Sequence, residues 1–153
     1  MQTFLPYPEF ARSAAVLDQR RLGKQRVECI QVVRGLVVEG YGWRHHPAVK
    51  MWRGYLEALG AYALACCHEW TAAGRADTCA GTISAHLADH GIGRVRSQEE
   101  LAAAGELPPW LGDPDFHRSH QSSLVRKDPA FYGPLFPGVP DDLPYVWPPA
   151  SEA

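Results

Sequence analysis

Trp52, Tyr55, Leu59, Tyr62, Cys66 and Trp70 recur at steps of three or four residues, the spacing that lines one face of an α-helix. No stretch of the chain alternates apolar and polar residues for long enough to support a strand. The expected fold class is therefore all-α: a compact single-domain helical bundle over residues 1–153, with the aromatic stripe in its core. At 153 residues, roughly 68–70% of the unfolded surface can be buried. With 46% hydrophobic and 21% charged residues, a largely disordered chain is excluded.

Start and stop signals divide the chain. A first helix is expected from Ser13, as its cap, to about Val38, where Glu39-Gly40-Tyr41-Gly42 stops it. Val27, Ile30, Val33 and Val37, widened by Cys29, Val32 and Leu36, would form its apolar side, and Gly23 signals a bend or a close approach. The aromatic stripe belongs to a second helix, opened by Pro47 after His46 and ended by Gly74. A third is expected over Thr78–His90, facing in through Ile83 and Leu87. Ser97-Gln98-Glu99-Glu100 is a capping-box pattern for a short fourth helix to Ala104. Asp113-Pro114 opens a fifth, which carries Phe116, His120 and Leu124 and ends by Asp128-Pro129. From there to Trp147 the chain is dense in proline and aromatic residues, which predicts an extended segment packed over the helices.

No apolar run approaches the roughly 18 residues that span a bilayer, and Met1–Pro6 has neither a basic region nor an apolar signal core. A soluble, cytoplasmic protein without a membrane partner is expected. Cys29, Cys66, Cys67 and Cys79 contain no CxxC pair, so buried free thiols are expected.

Net charge is −2, yet it is unevenly spread: residues 1–53 hold nine Lys/Arg against four Asp/Glu, and the remainder six against thirteen. Such polarity can offer one positive face to a polyanion. The densest basic stretch is Asp18-Gln19-Arg20-Arg21-Leu22-Gly23-Lys24-Gln25-Arg26-Val27-Glu28. Lys24 and Glu28 are four apart and share a helix face. One reading is a surface ion pair worth a few tenths of a kcal/mol. The other is a site in which cations hold phosphates while one carboxylate handles protons or stabilises a cationic sugar.

Asp18, Gln19, Leu22 and Glu28, with one residue inserted at Arg20-Arg21, resemble the N-terminal helix of the phage-type pyrimidine-dimer DNA glycosylases, the endonuclease V of ultraviolet-damage repair. Trp52-Arg53-Gly54-Tyr55 through Gly74 is similar to the family's long central helix. His120–Lys127 and Pro129-Ala130-Phe131-Tyr132 resemble its C-terminal helix and aromatic segment. The resemblance implies a helical enzyme that bends damaged duplex DNA and extrudes a base. In the family a free N-terminal amine attacks the sugar's anomeric carbon, and the imine permits strand cleavage, so one site gives glycosylase and AP lyase activity. An α-amine suits the task because such groups titrate near roughly 7.7–8.0, well below lysine. Glu28 matches the essential carboxylate.

The family's nucleophile is a threonine exposed by removal of the initiator methionine. Gln2 is too large for efficient removal, which places the reactive amine on Met1, with Lys24 as the fallback. The segment before Asp18 is also several residues longer than the family's, so the terminus must fold back to reach Glu28. Arg20, Arg21, Lys24, Arg26, Arg44, His120 and Lys127 are the expected DNA contacts, His120 alternatively filling a polar core position. The loop Trp43-Arg44-His45-His46 either meets DNA or simply turns the chain.

His86 and His90, like His117 and His120, have spacing compatible with a metal. No carboxylate or cysteine pattern completes either site, and no HExxH motif occurs. No metal or other cofactor is expected, and a monomer acting on damaged duplex DNA is. Two alternatives stay open: a non-catalytic helical nucleic-acid-binding protein on the same scaffold, and a His-dependent metalloenzyme for a small molecule.

Overall fold

Two of the expected helices are broken, each where a local signal competes with the longer pattern. The computed structural model describes residues 1–149, which form eight helices and no strand. The first expected helix is two: α1 (Phe10–Ala15) and α2 (Gln19–Val37). Asp18 sits between them in extended conformation and caps α2, its carboxylate accepting from the Arg21 N–H at 3.4 Å. Ser13 is not a cap. It lies buried inside α1, its hydroxyl accepting from the Tyr7 N–H and donating to the Tyr7 carbonyl.

The second expected helix is also divided, into α3 (Pro47–Lys50) and α4 (Leu56–Ala72). Between them Gly54 adopts φ +85°, a left-handed conformation that strains any residue with a Cβ. The break brings Trp52 to full burial outside either helix. Leu59, Tyr62 and Cys66 join it in the core, whereas Tyr55 and Trp70 are half-buried. α5 (Cys79–Asp89), α6 (Gln98–Ala103) and α7 (Pro114–Lys127) form where expected, α6 with both halves of its capping box. One helix was not foreseen, the single turn α8 (Pro129–Tyr132), capped by Asp128. The expected extended segment begins later: residues 133–138 form turns and a bend, and only from 139 to 149 does the chain run without helix or turn, apart from a bend at 141.

α4 is the centre of the packing and contacts α1, α2 and α5. Gly23 marks a close approach: a Cβ there would meet the Trp70 ring at 3.1 Å. The apolar face expected for α2 is turned. Leu22, Gln25, Cys29, Val32 and Val33 are buried, while Val27 is 49% exposed. The polar Gln25 is inside because the chain's first residues run past it and need hydrogen-bond partners. All four cysteines are buried and unbridged. Among the described residues no helix is long and apolar enough to cross a membrane.

Candidate active site

Residues 1–9 form no helix before α1, yet Gln2, Thr3, Phe4 and Leu5 are all buried. Enclosed backbone groups need partners, and core side chains supply them. Gln25 accepts from the Phe4 N–H at 2.9 Å and donates to the Gln2 carbonyl at 2.8 Å. The Tyr62 hydroxyl donates to the Phe4 carbonyl at 2.5 Å, and the Trp52 indole donates to the Thr3 hydroxyl at 3.1 Å. Two histidines of α7 hold Leu5 from both sides. His120 Nδ1 accepts from its N–H at 2.9 Å, and His117 Nδ1 lies 2.7 Å from its carbonyl oxygen. Because His117 Nε2 accepts from the Gly112 N–H, its proton must sit on Nδ1 and point at Leu5.

This threading delivers the chain's first nitrogen to α2. The Met1 amino nitrogen lies 3.9 Å from Oε1 of Glu28, longer than a hydrogen bond, so neither group is saturated by the other. Glu28 faces a cavity of about 420 Å³ whose lining includes Met1, Arg20, Arg21, Lys24, Lys127 and Tyr145. Four cations thus surround a single carboxylate, an arrangement that attracts phosphate while leaving one group able to move protons.

Arg21 is oriented before any ligand arrives. Its guanidinium bonds Asp18 at 3.1 Å, and the Tyr132 hydroxyl closes on the same carboxylate. Burial pushes the Asp18 carboxyl up, but Tyr132 and Arg21 outweigh it and hold the group below its ordinary value. Tyr132 is pushed up in turn, first by burial and then by Asp18. The Asp18–Arg21 unit therefore stays charged.

Three expected contacts are not at this cavity. Arg26 is paired with Asp77 and lies over the Trp70 ring at 4.2 Å, so its charge is already spent within the fold. Arg44 donates to the Tyr41 carbonyl and lines a separate cavity of about 990 Å³ beside Arg53, Glu57 and Arg96. His120 takes its polar-core alternative: it is fully enclosed, and burial, with His117 second, pushes it down to about 3. It cannot carry a phosphate-binding charge there.

The histidine pairs do not gather ligands. His86 accepts from Arg34, and His90 Nδ1 bonds the His86 carbonyl. Among the described residues no group of three or more His, Cys, Asp or Glu could hold a metal ion. Residue-level reading named Gln25, His117 and Tyr132 in other settings and gave none of them, nor Tyr145, a place in this site. Only Gln25 had a usable signal, a polar residue three after Leu22 and four before Cys29 on the interior register.

Comparison with curated proteins gives no match, and neither does comparison with solved structures. The family model for pyrimidine dimer DNA glycosylase matches residues 1–80, a span that holds Met1, Glu28 and the whole of α1 to α4. With more than half its length matched, this chain belongs to the pyrimidine dimer DNA glycosylase family.

Proposed function

We propose that this chain acts as one helical domain, and as a monomer, to excise a damaged pyrimidine from duplex DNA, and that the Met1 amine and Glu28 perform the chemistry. The supporting observation is the 3.9 Å separation of these two groups at the wall of a cation-lined cavity. In this reading the amine's lone pair attacks C1′ of the damaged nucleotide. The glycosidic bond breaks and the base leaves with its electron pair, collecting a proton. Glu28 faces the positive charge that grows on the sugar and takes the proton the amine gives up. Opening of the sugar ring leaves an imine to Met1. Loss of a C2′ proton then expels the 3′ phosphate by β-elimination, and water releases the enzyme. Arg20, Arg21, Lys24 and Lys127 hold flanking phosphates. Extrusion of the nucleotide costs a few kcal/mol, less at a damaged step, which itself favours the lesion.

Borohydride reduction with ultraviolet-irradiated and abasic duplexes, followed by peptide mapping, tests the amine. A cross-link at Met1 is expected. A cross-link at Lys24 would move the nucleophile, and none with either substrate would remove the lyase half. Glu28→Gln should lower turnover by at least about a hundredfold while DNA binding persists. Replacing Arg21 and Lys24 together should reduce the salt dependence of binding by close to two charges, with little regard to sequence; an unchanged salt slope would refute the phosphate contacts.

A further inference from the structure

The cavity does not end at its cationic wall. Tyr145, which lines it, meets Trp147 with ring centroids 5.3 Å apart. Trp147 meets His46 at 6.1 Å, and His46 meets Trp43 at 5.9 Å. A continuous aromatic track therefore runs outward from the Met1–Glu28 cavity, and its far members are in solvent: Trp43 is 50% and Trp147 36% exposed.

Neither tryptophan is on a loose strand. The tail that carries Trp147 is stitched to α7, with the Leu143 N–H on the Ser122 hydroxyl at 3.0 Å and the Val146 N–H on the Ser119 hydroxyl at 3.2 Å. On the other side His46 caps α3, its Nδ1 accepting from the Ala48 N–H at 3.0 Å. Burial, and then the positive charge of the amino terminus, keep His46 below its ordinary value, which leaves this ring a neutral aromatic surface.

Large apolar rings held in water forgo the transfer energy that burial would return. Trp147 is braced between Tyr145 and His46, and Trp43 rests on His46, so exposed rings connected to the cavity through Tyr145 are placed for a ligand. The cations on two sides limit the choice: residues 41–50 contain Arg44 and Lys50 and no Asp or Glu, and the cavity that Tyr145 lines holds four cations, whereas the acidic pair Asp141 and Asp142 lies six and five residues before Trp147 in the tail. Flat, apolar faces on a polyanionic strand are what such a surface accepts.

We propose that Trp43 and Trp147 form a stacking platform for unpaired nucleobases next to the nucleotide that enters the cavity. This rests on the DNA reading above and adds a second recognition element to it. The platform would favour DNA whose bases are already unstacked, since a paired base cannot lie on the rings.

The test compares binding to a fully paired duplex with binding to the same duplex carrying a short unpaired bulge, at one salt concentration, by fluorescence anisotropy. The quantity read is the ratio of the two affinities. Trp43→Ala and Trp147→Ala should each lower the bulge preference about tenfold, and Trp43→Tyr should restore most of it. Thermal melting checks that the variants are folded, which their exposure favours. A preference within twofold of the unaltered protein in both alanine variants overturns the proposal and leaves the rings as a surface for something other than bases. Borohydride trapping by the unaltered protein separates this from the catalytic reading. Trapping without any change in bulge preference sinks the platform alone; a changed preference without trapping sinks the imine chemistry and keeps the platform.

Discussion

The first residues of the chain and the last described ones are both non-helical, and they are secured in opposite ways. Gln2 to Leu5 run through the interior, none more than 7% exposed, with backbone groups taken by Gln25, Tyr62, His117 and His120. The tail lies on the surface of α7, tied by serine hydroxyls at 122 and 119 and by a Ser123–Tyr145 contact of 2.6 Å. An interior segment is held rigidly because every lost partner leaves a buried group unsatisfied. A surface segment can exchange a lost bond for water. The proposed nucleophile is on the first kind of segment, and the proposed base platform draws on the second.

The sharpest way to break this comparison is Gln25→Leu, which strips partners from both the Phe4 N–H and the Gln2 carbonyl. Two buried orphans should cost about 2–5 kcal/mol, read as a lowered urea midpoint, with Met1 trapping lost in step. A loss under about 1 kcal/mol would mean the segment is held some other way.

Acid should attack the same region next. Burial holds His117 below its ordinary value, opposed by its bond to Leu5, and holds His120 down to about 3 from 6.5. His120 stays neutral in the native state through this range and His117 is shifted the same way, so the unfolded chain binds protons that the native chain resists. Stability is then complete above about pH 6.5 and declines as pH falls toward the native value of His120. Between about pH 6 and 5, before carboxylates dominate, His120 contributes up to about 1.4 kcal/mol per pH unit, and His117 adds to the slope in the same direction. Chemical denaturation across that window measures the slope, and His120→Gln should flatten it by one histidine's share. An unaltered slope in that variant would place the acid sensitivity elsewhere.

The smallest effect belongs to the tail. Ser122→Ala removes the acceptor for the Leu143 N–H, which is partly exposed, and should cost no more than about 1 kcal/mol. A loss as large as that of Gln25→Leu would erase the distinction between the two segments.

Much of the fold could be read one residue at a time. The Ser97 capping box, the Asp113-Pro114 start and the Gly74 stop act over a few positions and reappear as expected. The breaks at Asp18 and Gly54 were harder, because the apolar pattern runs through both and only packing decides between a straight helix and a turn. Histidine spacing suggested ligands or phosphate contacts. In the structure His117 and His120 bind the backbone of a residue more than a hundred positions away, a partner no local pattern indicates.

The sequence alone determined the helical class, most helix ends and the concentration of positive charge around Glu28, since propensity, capping and composition are local properties. Only tertiary structure decided that Met1 reaches Glu28, that Arg26 and His120 are turned to internal partners, and that Tyr145 joins the cavity. Those outcomes depend on a buried segment meeting side chains from α2, α4 and α7 at once, and the distances between such elements exist only after the core has closed around them.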